Sequence, residues 1–224
     1  MAEDGAAPGP LLGRGRAADV YDVGGGRVLR RYRSEHDSGP EAEVMAHLAA
    51  HGFPVPSVHD VDGRDIVMDR VDGPSQLDDI QRRPWRTAGH GRVLAELHRR
   101  LDAVPAPPGQ QGRIVHLDLH PGNVLVTPEG PVLIDWSNAR VGDAAEDVAT
   151  TWMLLAAARP DGGRALQVLA AVLRRRLLAA FLGGVDVEAA RAALPAVCER
   201  KAHDPNMSAD EVAAIRALGA SAGR

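Results

Sequence analysis

Up to Gly73-Pro74 this chain reads mostly as strands, and beyond that break mostly as helices. Before the break, Leu11-Leu12 opens a strand, Ala18–Val23 forms a second, and Arg27–Tyr32 returns after Gly24-Gly25-Gly26 with alternating character. Pro40–Ala50 places Val44, Met45 and Leu48 at helical spacing and is stopped by Gly52, Pro54 and Pro56. Asp65–Val71 is a further short strand. The first third therefore reads as an antiparallel meander of about five strands with one helix. After the break, Val93, Leu94, Leu97 and Leu101 share one helix face, which Pro105, Pro107 and Pro108 terminate. Val124–Val126 and Val132–Ile134 flank Thr127-Pro128-Glu129-Gly130, a hairpin signal. From Ala144 onward the chain is Ala/Leu/Arg-rich and helical, with breaks at Pro160–Gly163, Gly183-Gly184 and Asp204-Pro205. The expectation is an α+β, two-lobed fold. Residues 10–73 form a β lobe and 74–218 a helical lobe, with disordered tails at 1–9 and 219–224. Folds of two lobes place ligands in the cleft between them.

Composition narrows the chemistry. At 45% hydrophobic and 25% charged residues over 224 positions, the chain is globular. A lone cysteine, Cys198, excludes an internal disulfide and a cysteine-held zinc or iron–sulfur centre. A net charge of −4 and 3% aromatics give no footprint for nucleic acid. No apolar run approaches 18 residues, and the start, MAEDGAAPGP, is acidic where a signal peptide is basic. A cytoplasmic protein with neither a nucleic-acid nor a membrane partner is expected. The only lysine is Lys201. A Walker-A loop and a Schiff-base mechanism both need a lysine in a context that this one lacks.

One segment concentrates groups suited to metal-dependent phosphoryl transfer. His116–Asn123 reads HLDLHPGN and Val132–Trp136 reads VLIDW. Pro121-Gly122 makes a tight turn, so Asp118 and Asn123 lie on one loop, and the strand through Ile134 delivers Asp135 beside them. Magnesium takes hard oxygen ligands from one or two protein groups and leaves room for phosphates. Asn123 and Asp135 supply such oxygens, and Asp118 is placed to accept the proton of an attacking hydroxyl. Taken singly, each residue has an ordinary structural explanation as a turn cap or a buried or surface side chain. A zinc pair of His116 and His120 is disfavoured, because Pro121-Gly122 denies the helix that such spacing needs. Gly13-Arg14-Gly15-Arg16-Ala17-Ala18 has the form of a dinucleotide fingerprint, but a strand follows where that fingerprint opens a helix. Gly13, Gly15 and Ala18 instead belong to a loop joining two strands, as in a phosphate-covering loop.

HLDLHPGN followed by LIDW resembles the aminoglycoside phosphotransferase/choline kinase family, which shares the protein-kinase-like fold. Leu117 stands where protein kinases carry the Arg of H-R-D, and neither a long activation segment nor A-P-E follows Asp135. The resemblance implies ATP and Mg2+ as nucleotide and metal, and small-molecule hydroxyls as acceptors. It also implies a basic residue on the third strand paired with a helix glutamate. With no lysine there, Arg30 takes that place and Glu41 is its partner, while Glu43 is an exposed helix charge and Arg31 faces the opposite side of the sheet. Arginine is not a conservative replacement at a phosphate site, although it can bridge Glu41 and a phosphate oxygen. By the same resemblance, backbone groups of Asp69 and Val71 bond the adenine edge and Met68 lines its pocket. Asp147 matches an aspartate that supports the catalytic loop from behind, and the dipole of a helix N-terminus accounts for a carboxylate there equally well.

Acceptor choice is not legible beyond amino sugars, amino alcohols and sugar-like compounds. Acidic residues near the C-terminus suit a cationic sugar but equally form a solvated face. Three tryptophans are few for a choline cage. Two functions follow: a small-molecule kinase with Asp118 as base, or a nucleotide-binding module of little or no turnover that acts through partners.

Overall fold

The computed structural model describes residues 8–15, 17–157, 163–204 and 209–222. The expected tails fall partly outside these, at residues 1–7 and 223–224. The chain divides into two compact units, the first ending at Asp72 and the second beginning at Gly73.

The first unit is one antiparallel sheet with a single helix. Its strands are β1 (Leu11–Arg14), β2 (Ala18–Gly24), β3 (Arg27–Tyr32), β4 (Val58–Asp62) and β5 (Asp65–Asp69), in the order β1-β2-β3-β5-β4. Gly24, Gly25 and Gly26 all have positive φ, the conformation that reverses β2 into β3 and that side chains with a Cβ resist. β3 is paired on both sides, with Arg30 opposite Val20 on β2 and Ile66 on β5. Residues two apart on a strand share a face, so Val28, Arg30 and Tyr32 point together. On that face lies α1 (Gly39–Ala50), which buries Glu41, Met45 and Leu48 at helical spacing. Gly52, at φ 71, ends the helix and lets the Phe53 amide reach back to the Leu48 carbonyl. β5 closes at Asp69, so Val71 lies beyond the strand expected to contain it.

The second unit is helical around two small hairpin-like ladders. Ser75 caps α2 (Gln76–Arg82) through a reciprocal capping box with Asp78. Next come α3 (Thr87–Asp102), β6 (Arg113–Val115), β7 (Val124–Thr127), β8 (Gly130–Leu133), β9 (Arg140–Gly142) and α4 (Ala144–Ala157), then α5 (Arg164–Leu182), α6 (Val187–Lys201) and α7 (Ala209–Ala222). β7 and β8 pair as far as Thr127 and Gly130, with Pro128-Glu129 at the centre of the turn. β6 pairs with β9 across a long excursion of chain, Val115 opposite Arg140. Gly91 on α3 lets α5 approach so closely that a Cβ would lie 2.4 Å from the Leu177 carbonyl oxygen. Residues 219–222, expected as a tail, continue α7 instead, and Gly219 is buried 3.0 Å, by its notional Cβ, from Cys198 of α6. No helix among the described residues is long and apolar enough to cross a membrane.

Candidate active site

β6 runs directly into His116, whose ring is fully buried and packs edge-on against Trp136 at 4.6 Å between centroids. The amide of Asp118 can only donate, and it lies 3.2 Å from His116 Nδ1. The Ile134 carbonyl can only accept, and it lies 3.1 Å from Nε2. His116 is therefore the neutral Nε2–H tautomer, bridging the two segments that carry Asp118 and Asp135. Burial holds its pKa below the ordinary histidine value. Asp147, the Ile134 carbonyl, Asp118 and Asp135 act the other way without overcoming it.

Leu117 then takes φ 61, a left-handed conformation uncommon for a residue with a Cβ. Its amide donates to Asp147 Oδ1 at 2.7 Å and the His116 amide donates to Oδ2 at 3.1 Å. These charge-assisted bonds hold the turn that projects Asp118. Burial would raise the Asp147 pKa, but His98, His116 and the Leu117 amide outweigh it and hold the carboxyl below its usual range.

The loop closes on itself. Asn123 Nδ2 donates to the Asp118 carbonyl at 2.9 Å and to its Oδ2 at 3.2 Å. Committing the amide nitrogen to Asp118 leaves Asn123 Oδ1 as its acceptor end. Between them, His120 Nδ1 accepts from the Gly122 amide, and Pro121–Asn123 form a 3-10 turn. The Ile134 amide donates to the Asn123 carbonyl at 2.9 Å, extending the β7–β8 register so that Asp135 follows one residue beyond the partner of Asn123. Asp135 is also left-handed, at φ 66, and its Oδ1 accepts from Ser137 Oγ at 2.9 Å. The Asp118 side chain is 28% exposed, and its Oδ1 accepts no hydrogen bond among the described residues. Among those residues no group of three or more His, Cys, Asp or Glu could hold a metal, and both nitrogens of His116 are spent within the loop.

The remaining sequence-selected residues lie in the first unit. Arg30 Nη1 is 2.6 Å from Glu41 Oε1, and Tyr32 Oη donates to Glu41 Oε2 at 2.6 Å. The glutamate is only 3% exposed, and the guanidinium rests 4.9 Å from the Tyr32 ring centroid. Glu43 is exposed, and Arg31 pairs across the strands with Asp65 at 2.6 Å. Gly13 lies in β1, Ala18 is buried at the start of β2, and the Gly15 amide between them donates to the Ala18 carbonyl at 2.8 Å. Met68 is buried, Val71 is half-buried, and Asp69 gives its amide to Ser57 and its side chain to His59. Sequence reasoning passed over Ser137, His98 and Thr151. Only Ser137, two residues after Asp135, left a local signal.

His116 makes the loop sensitive to acid. In the unfolded chain it titrates at its ordinary value of about 6.5, whereas in the fold it resists protonation. Above that pH both states are neutral and stability is unaffected. Below it the unfolded chain binds the extra proton, so unfolding gains up to about 1.4 kcal/mol per pH unit. Asp147, with its lowered pKa, adds loss only further down, below about pH 4. Urea midpoints should therefore fall between pH 7 and 5.5, and His116→Asn should fall less. Equal slopes in the two proteins would show that other histidines carry the effect.

Residues 10–100 and 68–182 match the phosphotransferase enzyme family. A thiamine kinase of Escherichia coli (strain SMS-3-5 / SECEC) is 35% identical over 68 residues, 30% of this chain and 23% of that protein, so the match spans under a quarter of that relative's length. A choline/ethanolamine kinase family protein from Mesorhizobium loti superposes with a TM-score of 0.58 at 18% identity, covering 97% of this chain and 88% of that one. An amicoumacin kinase in complex with AMP-PNP, Ca2+ and Ami superposes with a TM-score of 0.52 at 13% identity, covering 95% and 87%. These likenesses show a kinase-like fold across nearly the whole chain, and by its matched sequence the chain belongs to the phosphotransferase enzyme family.

Proposed function

We propose that this protein transfers the γ-phosphate of ATP to a hydroxyl of a small molecule, an amino sugar, amino alcohol or sugar-like compound. Asp118 is the base, and magnesium is held by Asn123 and Asp135. The observation that carries this reading is the pair of bonds that ties Asn123 to Asp118 on one side and to Ile134, next to Asp135, on the other. The names of the relatives support the reaction class, since the E. coli relative is a thiamine kinase. The amicoumacin kinase structure, holding AMP-PNP and Ca2+, supports a nucleotide with a divalent ion.

Asp118 Oδ1 accepts the hydrogen bond of the acceptor hydroxyl. As the hydroxyl oxygen bonds to the γ-phosphorus, the bridging P–O bond to ADP breaks and the hydroxyl proton passes to Asp118. Asn123 Nδ2, fixed on Oδ2 and on the backbone, keeps that carboxylate aimed. Asn123 Oδ1 and the Asp135 carboxylate are hard oxygen donors, too few to enclose an ion alone, which suits a magnesium shared with substrate phosphates. Bound there, magnesium would neutralise charge on the phosphate oxygens. In the first unit, Arg30, anchored by Glu41, serves the nucleotide phosphates, with Gly13, Gly15 and Ala18 in the covering loop. Because the Asp69 amide is spent on Ser57, its carbonyl is the group that meets the adenine edge, with the Val71 amide and Met68 beside it.

A magnesium-dependent ATP-turnover screen over amino sugars, amino alcohols and sugars, with Asp118→Asn as blank, tests the proposal. At least one acceptor should be consumed by the wild type alone. No turnover across the panel, with ATP still bound, would instead favour a non-catalytic nucleotide-binding module. Asp135→Ala should weaken magnesium–ATP by at least about tenfold and leave magnesium-free ATP unchanged, as read by calorimetry with and without chelator. Equal weakening of both forms would remove Asp135 from the metal.

A further inference from the structure

Behind the loop runs a buried polar chain that the proposed chemistry does not use. Thr151 Oγ1 lies 2.8 Å from the Leu119 carbonyl and 2.9 Å from His98 Nε2. His98 Nδ1 lies 3.5 Å from Asp147 Oδ2. All three side chains are buried, with the Phe181 ring 5.6 Å from the imidazole. Asp147 and Thr151 are one turn apart on α4, hence on one face. The first takes the amides of His116 and Leu117, and the second takes the carbonyl of Leu119. Asp118 stands between the two grips.

The directions of these bonds follow from what each atom can do. A carbonyl only accepts, so the Thr151 hydroxyl hydrogen points at Leu119. Thr151 Oγ1 then accepts from His98, and Nε2 carries a hydrogen.

We propose that Thr151 and His98 are positioning residues for Asp118: Thr151 clamps the peptide after it, and His98, donating from Nε2 to the Thr151 hydroxyl and lying beside Asp147, holds that clamp next to the Asp147 grip on the peptide before it. The proposal rests on Asp118 being the base, and it adds a reason for the orientation of that carboxylate. The first test is the long-range 1H–15N spectrum of the full 15N-labelled chain at neutral pH, with His98→Gln to assign the ring. His98 Nε2 should show the protonated signature, and a bare Nε2 overturns the inference. The second is Thr151→Val against Thr151→Ser. Removing the hydroxyl should lower kcat by roughly tenfold to a hundredfold with KM for ATP little changed. Amide exchange at residues 118–123 should quicken by a similar factor, and serine should restore most of both. Wild-type exchange and kcat in Thr151→Val overturn the clamp. If the valine variant does not fold, the wild-type ring spectrum decides alone. Absent turnover in the wild type defeats the kinase reading while leaving the spectrum and the exchange rates to judge the clamp.

Discussion

Asp118→Asn should cut kcat by about 10²–10⁴, the range that a positioned general base contributes. Affinity for ATP should stay within roughly twofold, because the lost interaction belongs to the transition state and not to nucleotide binding. The substitution is informative because it changes so little else. The Asp118 backbone carbonyl, which holds Asn123 at 2.9 Å, is untouched. The new side chain can still offer an oxygen to Asn123 Nδ2 in place of Oδ2. What stands at the Oδ1 position becomes an amide nitrogen, which cannot take a proton from a hydroxyl. A fall in kcat with unchanged KM and unchanged melting therefore isolates the base. Turnover near the wild-type level would mean that the proton leaves by another route. A parallel loss of ATP affinity would mean that Asp118 has a binding role and that Asn123 moves with it.

The sequence made legible those parts of the molecule that local rules decide. The Gly24–Gly26 reversal, the helix over Pro40–Ala50 and the β7–β8 hairpin each announce themselves by turn residues flanking a clear period. The meeting of Asp118 and Asn123 follows from one short loop around Pro121-Gly122. β4 was harder to see, because Val58–Asp62 is exposed along most of its length and shows no apolar face. β6 and β9 are three residues each and exist only through pairing with one another. α2 did carry a signal that went unread, the Ser75…Asp78 capping box. Residues 219–222 looked like a tail because they are small, but smallness at Gly219 is what lets α7 close on Cys198. Leu117 hides its left-handed turn entirely, since leucine does not favour one and the conformation is imposed by Asp147 thirty residues away. His98 and Thr151, fifty-three positions apart, meet only once α3 and α4 have packed.

Asp147 is the residue for which magnitudes separate the two sequence-level explanations. As a carboxylate that merely favours a helix N-terminus, it would be worth about 0.3–1 kcal/mol. In the structure it is buried and takes two backbone amides in a turn that holds Leu117 at φ 61. Asp147→Ala leaves both amides without an acceptor, which at about 1–3 kcal/mol for each buried group costs about 2–6 kcal/mol. Against a total of about 5–15 kcal/mol for a typical domain, that is a large fraction. Asp147→Asn should fall between, because an amide presents one oxygen where two N–H groups need acceptors, and its own nitrogen faces a donor. Urea unfolding of the three proteins at pH 7 reads this directly. A loss under about 1 kcal/mol for the alanine variant would reduce Asp147 to its helix-end role. The expected larger loss, shared between global stability and release of the Leu117 turn, would make α4 the support from which Asp118 takes its position.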